Sequence, residues 1–414
     1  MKGRQIFRST HFMFTIIVVF LSIISSLKAF ALNITANSCS QADVQLAVSQ
    51  VISGGGGIVY IPAGASTWTT GVTVNTGSTK NIKIIGAGQG VTTINDFYLI
   101  VPASGSNVVE IAHMTIGSSI RSGGIFSEKF RPANSPGSKE LHFHDLTISG
   151  RGPIGTIEGW NGVVNNNTFN CRSGQYGWYV HGYGNYDSTR PAMGTRSSIF
   201  FENNTFNGCY HSISGFCNSK IVFRYNTVAG STHCVDVHGP SYNYCQYASP
   251  VGTPNGGRLF EHYNNIYEAN SVCGAKLRSG SGISTGNNYK FTSDGWWSFF
   301  GVYNDQTCSS CNHTYVYPPT ESGACQGVQE YWVWNETCPA TTWSNSEIGS
   351  GCFNVSNNSC PGCIRENTEY YLRAPTSTQD GITWTPFTYP HPITVSGLPP
   401  LDKVPNIVDN VLVR

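Results

Sequence analysis

The sequence predicts an all-β chain wound as a stacked parallel solenoid, and three observations carry that expectation. Short segments of one pattern recur along the chain. The composition, with 46 Gly and charged residues at only 11%, suits turns and stacked strands better than amphipathic helices. One short helical pattern stands where a solenoid needs its first coil covered.

The chain opens with basic "MKGRQIFRSTHF", apolar "MFTIIVVFLSIISSL" and small-residue "AFA" ending at Ala31. That order reads as a signal peptide over residues 1–31, the apolar run being short for a bilayer span of ~20 residues. No later segment is apolar enough to cross a membrane, so the expected product is exported, either secreted, periplasmic or held at the cell surface. Cleavage would take the formal charge from 24 − 23 = +1 to 20 − 23 = −3. That balance lacks the basic footprint of a nucleic-acid binder. All 14 cysteines follow the leader, which in an exported chain suggests disulfides.

Residues 32–52 form the expected cap. In "SQADVQLAVSQVI" (40–52), Ser40 is a capping residue and Val44, Ala47, Val48 and Val51 recur at helical spacing. Residues 53–300 carry the coils and 301–414 a Cys-rich, aromatic region expected to pack on the last of them. Within the coils, "VEIAHMTI" (109–116), "LHFHDLTI" (141–148), "VVNNNTF" (163–169), "IFFENNTF" (199–206), "IVFRYNTV" (221–228) and "LFEHYNNI" (259–266) align as one strand leading into one bend. Leu146 to Asn167 is 21 residues and Asn204 to Asn226 is 22, while the 38 from Asn226 to Asn264 contain an insertion. A period in the low twenties is what a parallel β-solenoid needs, because no coil can bury its apolar face alone. Asn167, Asn204, Asn226 and Asn264 are expected to stack at the bend, where Asn tolerates left-handed geometry and amides bond from coil to coil.

"GGGGIVYIPAGASTWTTGVTV" (54–74) and "NIKIIGAGQGVTTI" (81–94) resemble the opening of right-handed parallel β-helix proteins of the pectin-lyase-like superfamily. The tail "IRENTEYYLRAP…WTPFTYPHPI" (364–393) resembles the close of exported members. The resemblance implies a single-stranded right-handed parallel β-helix and polysaccharide chemistry. Its reaction stays open, because that superfamily holds lyases, hydrolases, epimerases, esterases and non-enzymatic surface proteins.

Past each bend a second aligned segment follows: "WYVHG" (178–182), "SISG" (212–215), "DVHG" (236–239) and "KLRSG" (276–280). With Val180, Ile213, Val237 and Leu277 pointing inward, alternation puts Tyr179, Ser212, Asp236 and Lys276 beside His181, Ser214, His238 and Arg278 in two outward, solvent-facing columns. Asp236, His238, Lys276 and Arg278 are the candidate catalytic groups. Trp178, Tyr179 and His181 lie in the aromatic stretch "QYGWYVHGYGNYD" (175–187), whose rings can stack on sugars. A second outward column of His144, Glu202, Arg224 and His262 supplies further substrate-binding candidates. Insertions at 183–197 and 240–257 could wall a cleft.

β-Elimination needs a base for the proton beside a uronate carboxylate and a positive charge or metal for the developing enolate. Lys276 or Arg278 could neutralise the carboxylate, with His238, Tyr179 or a neutral Lys as base. Asp236 would orient His238 or contribute to a Ca²⁺ site, although one carboxylate makes a poor one, and no metal ligand set is assigned. Glycosidases use two carboxylates, so a polysaccharide lyase is favoured over a hydrolase. The competing expectation is a non-catalytic surface or matrix protein, adhesin-like, that binds glycans or copies of itself. "GAGQG" (86–90) reads as a turn. "CSSC" (308–311) and "CPGC" (360–363) read as disulfide-tied rather than zinc-binding, and Cys234 and Cys273 lie nearly in register for a disulfide.

Overall fold

The computed structural model describes residues 32–74, 80–97, 99–100, 108–117, 140–150, 155–171, 176–182, 191–231, 235–239, 256–271, 273–291, 300–303, 328–339, 352–356 and 364–396. The leader, Cys234, both CxxC motifs and the greater part of the two insertions lie outside them.

Among the described residues every strand pairing is parallel and joins one coil to the next, so the chain is a parallel β-helix. Each coil contributes a strand to a first sheet, bends, and continues into a second; Val108–Ile116 and Glu140–Gly150 run through both. A third sheet stacks Gly155–Glu158, Trp178–His181, Ile213–Phe216, Val235–Val237, Ala275–Leu277, Phe300–Tyr303 and Phe353–Ser356. The stacking continues past residue 300 through Val328–Trp334, Phe353–Ser356 and Tyr370–Tyr371, so part of the Cys-rich region is itself solenoid.

The core is built by columns. Val59, Ile84, Ile111, Phe143, Val164, Phe201 and Phe223 follow one another in register up the inside of the first sheet, all fully buried. Burying each such side chain is worth about 1.5–3 kcal/mol, which no coil could gain without its neighbours. At the N-terminal end the helix Gln41–Ser53 buries Val44, Ala47, Val48 and Val51 against the first coil, and the Ser40 hydroxyl accepts from the Asp43 amide as cap.

The bend after the first sheet holds two stacked roles in adjacent residues. His113, Asp145, Asn166, Asn203, Tyr225 and Asn264 take left-handed backbone with φ of 52° to 56°. The next residue in four of these coils, Asn167, Asn204, Asn226 and Asn265, forms the amide ladder, in which the backbone and side-chain N–H of each donate to the Oδ1 of the next. Asn287 extends the ladder and Glu336 ends it, accepting from both Asn287 nitrogens. The ladder residue of the 259–266 coil is thus Asn265, one residue beyond the expected Asn264.

That one-residue displacement corrects a second expectation, because a slip of one flips every side chain to the other face. Arg224 pairs with Tyr263, and His262 stands in the inward column above Phe223. It is a core histidine, fully buried, bonded to the Ser284 and Tyr267 hydroxyls. Burial pushes its pKa down to about 3, so the ring is neutral.

The C-terminal segment 364–396 returns over the outside of the first sheet as a strap. Its Trp384 donates to Glu261, its Phe387 and Thr388 carbonyls accept from Arg224, and its His391 amide donates to Glu202. Ile393 packs in one apolar cluster with outward-facing Val108, Val163, Phe200 and Val222. The strap therefore reaches middle coils, farther than packing on the last ones. Cys171 is bonded to Cys209 and Cys338 to Cys352, while Cys273 is also disulfide-bonded.

Candidate functional site

The third sheet sets Tyr179, Ser214, Asp236 and Lys276 in one outward column. The neighbouring column runs His181 and Phe216, with His238 and Arg278 continuing it past the strand ends. This shifts "SISG" by two residues from its expected place. Ser214, not Ser212, stands between Tyr179 and Asp236, and Phe216 stands between His181 and His238. The reason is Gly215, which takes the inward position of Val180 and Val237. A Cβ there would meet the Ile221 Cδ1 at 2.7 Å and the Ser219 Oγ at 2.9 Å, so Ile221 fills the space that a valine fills elsewhere.

Asp236, His238, Lys276 and Arg278 do come together, but not on an open ladder as expected. Asp236 is fully buried and Lys276 is 4% exposed, whereas the His238 and Arg278 side chains keep 19% and 27%. Oδ2 of Asp236 is the hub: Arg278 donates to it at 2.5 Å, His238 Nε2 lies at 3.6 Å and His211 Nδ1 at 3.9 Å. Burial alone would raise the Asp236 pKa; the surrounding His238, Arg278, His211 and Lys276 charges instead hold it well below the usual carboxylate range. Lys276 is pulled down to about 8, chiefly by burial, with Arg278 adding repulsion and Asp236 opposing both.

Aromatic rings line this cluster. His238 stacks on Phe216 with centroids 4.3 Å apart, Tyr176 stacks on His211 at 4.9 Å, and Tyr179 and Tyr210 lie 5.1 and 5.3 Å from Tyr176. His211, Phe216 and Tyr210 were not among the expected site residues. His211 precedes the strand Ile213–Phe216, so alternation along a strand does not reveal it. His181 also belongs here, its ring 5.4 Å from Phe216; burial pushes it to about 4 and leaves it neutral.

The other expected binding residues are elsewhere. Trp178 points inward with Val180, fully buried against Phe143 and Phe169. Glu202 and Arg224 occupy outward positions as expected, but the strap covers both completely. They form a buried ion pair at 2.6 Å and serve as the strap's anchor. His262 is in the core, as described above.

Chemically, the cluster joins one ionised carboxylate to four basic side chains beside rings that can take a sugar face. Its geometry also admits a cation between His211, Asp236 and His238, whose ligand atoms lie within 4.8 Å of one another. Arg278 and Lys276 oppose that, since two positive groups already neutralise Asp236.

No protein-family model matches the sequence, and comparison with curated proteins finds none similar to it. Among solved structures, the Agl-KA catalytic domain is 16% identical with a TM-score of 0.34, over 79% of this chain and 69% of that one. Two structures of the catalytic domain of GH87 alpha-1,3-glucanase, with tetrasaccharides and with nigerose, are 11% and 12% identical, with TM-scores of 0.26 and 0.27. Each covers 80% of this chain and 68% of its own. This chain's own parallel strand register makes it a β-helix.

Proposed function

We propose that the protein is an exported polysaccharide-active β-helix of the pectin-lyase-like kind that cleaves an acidic polysaccharide by β-elimination at the third-sheet face. The observation that carries this reading is the concentration of Arg278, Lys276, His238 and His211 around the single carboxylate Asp236. The surplus of positive charge from Arg278 and Lys276 over Asp236 suits an anionic substrate and the enolate that forms when the proton beside its carboxylate leaves. The paired carboxylates of a glycosidase are not matched among the described residues acting on Asp236.

Arg278, the most open cation, neutralises the substrate carboxylate. His238 in its neutral form takes the proton, its ring held between Phe216 and Asp236, and as the double bond forms the β-carbon to glycosidic oxygen bond breaks, the departing oxygen taking a proton from water. Lys276, still mostly protonated at neutral pH, supplies charge to the enolate. Tyr176, Tyr179 and Tyr210 form the sugar platform.

The test follows ultraviolet absorbance of unsaturated uronate ends when the purified protein meets a panel of acidic polysaccharides, with and without Ca²⁺. His238→Ala should abolish the signal while leaving retention on the polysaccharide measurable. Activity should decline above about pH 8 as Lys276 loses its proton. A panel without signal, with polysaccharide retention unchanged in His238→Ala and lost in Tyr179→Ala, would replace this reading with a non-catalytic glycan-binding surface protein.

A further inference from the structure

A second set of titratable groups meets on a different face, the outside of the first sheet near its N-terminal end. Parallel register puts Lys83, Glu110 and His142 in one column and His144 and Asn165 in the next. Glu110 is 7% exposed and His142 4%, and the strap's Ile393 packs on the neighbouring Val108 and Val163.

Each histidine has one ring nitrogen engaged. His142 Nε2 lies 3.1 Å from Asn165 Oδ1, and His144 Nδ1 lies 2.7 Å from Asp145 Oδ2. An amide oxygen and a carboxylate accept, so these nitrogens carry protons, and in the neutral form of each ring the opposite nitrogen carries a lone pair. Those opposite nitrogens, His142 Nδ1 and His144 Nε2, are buried without a hydrogen-bond partner. Both aim at Glu110, at 3.8 Å from Oε2 and 3.5 Å from Oε1, beyond good hydrogen-bond length. The imidazoles stack with centroids 3.9 Å apart, so protonating both would set two positive rings face to face.

Two lone-pair nitrogens and a carboxylate converging on one point call for a cation. With metal–ligand distances near 2.0–2.1 Å, tetrahedral ligands stand about 3.4 Å apart, close to the separations found here. The partners behind the ligands fit as well. Asp145 and Asn165 fix the two rings, and Lys83 Nζ, 2.8 Å from Glu110 Oε2, occupies that oxygen and leaves Oε1, 3.5 Å from His144 Nε2, as the donor. His113 and the partly exposed Asp145 stand at the open side, which gives an ion its entry.

We propose that Glu110, His142 and His144 bind one divalent transition-metal ion of the zinc type. Two imidazoles and one carboxylate are a donor set for zinc rather than for calcium, which prefers oxygen. The ion would tie two successive coils together at the face opposite in role to the Asp236 cluster.

Zinc titration of chelator-treated, full-length protein by calorimetry, with cobalt absorption as a structural readout, tests this. One ion per chain is expected, with visible bands of tetrahedral cobalt, and binding lost in His142→Ala. Asp145→Ala, which removes the carboxylate that orients His144 without touching a ligand, should weaken zinc by about 10–100-fold and keeps the test decisive where the ligand variant does not fold. Absence of zinc binding in the parent protein would overturn the proposal. So would binding unchanged in Asp145→Ala and His142→Ala, or binding lost in His211→Ala instead, which would move the ion to the third sheet.

Discussion

Arg224 is where the strap and the solenoid are joined, and its replacement by alanine is the most informative perturbation of the fold. The guanidinium is fully buried. It donates to Glu202 at 2.6 and 2.8 Å, to the Tyr263 hydroxyl at 2.9 Å, and to the strap carbonyls of Phe387 and Thr388 at 2.6 and 2.9 Å. Arg224→Ala strands the Glu202 carboxylate in the interior, a change worth about 3–5 kcal/mol. Each lost charged bond to a strap carbonyl would add about 1.5–3 kcal/mol, though the freed strap can recover part of that from water. A total loss of about 4–6 kcal/mol is expected. Urea denaturation measures it, and limited proteolysis should show cleavage of the 364–396 segment before the coils open. Glu202→Gln with Arg224→Met removes both charges together and should regain a large share, since buried pairs replaced by apolar groups are often nearly neutral. If Arg224→Ala falls within about 1 kcal/mol of the parent, or if the double variant is as unstable as the sum of the singles, the pair is not the anchor described here.

Asn226→Ala breaks the amide ladder at its middle, leaving the Asn204 amide N–H and side chain and the Phe201 carbonyl without their partner. At about 1–3 kcal/mol for each buried group left unpaired, a loss of about 2–4 kcal/mol is expected in thermal or urea unfolding; a change below about 0.5 kcal/mol would show the ladder to be ornamental. Glu336 gives the fold a pH dependence. Burial pushes its carboxyl up to about 7 from 4.5, against the Ser284 and Asn287 donors that favour the ionised form. A folded-state pKa above the unfolded one means the native state holds the proton longer, so this group's contribution is full below about pH 4.5 and declines until about pH 7. The difference, 7 − 4.5 = 2.5, corresponds to about 3 kcal/mol, reduced to about 1–3 by partial exposure of the side chain. Glu336→Gln should flatten this part of the stability profile between pH 5 and 8; a profile parallel to that of the parent refutes the assignment.

Much of the fold was legible because it repeats. The period in the low twenties, the inward Val, Ile and Phe columns and the bend asparagines are each local patterns that recur, and recurrence itself predicts that neighbours stack. The capping helix was equally local, since Ser40 and the spacing of Val44, Ala47, Val48 and Val51 are read within one segment. Register was legible only where coils are alike. It failed by one residue at His262 and by two at Ser212, where Asn264 imitates the ladder residue and Gly215 imitates a strand end.

Chain composition and spacing thus determined on their own that coils would form and which strands would lie side by side, because hydrogen-bond ladders and apolar alternation act over a few residues. What covers each outward face was decided by tertiary structure alone. The runs "IFF" and "IVF" (199–201 and 221–223) are apolar on both faces because a segment some 165 residues further on lies over them. The same covering turns Glu202 and Arg224 from surface groups into a buried anchor. His211 joins Asp236, and Glu110 joins His142 and His144, only because separate coils bring them within a few ångströms. Desolvation depends on everything packed around a group, and that sum is not contained in the segment the group belongs to.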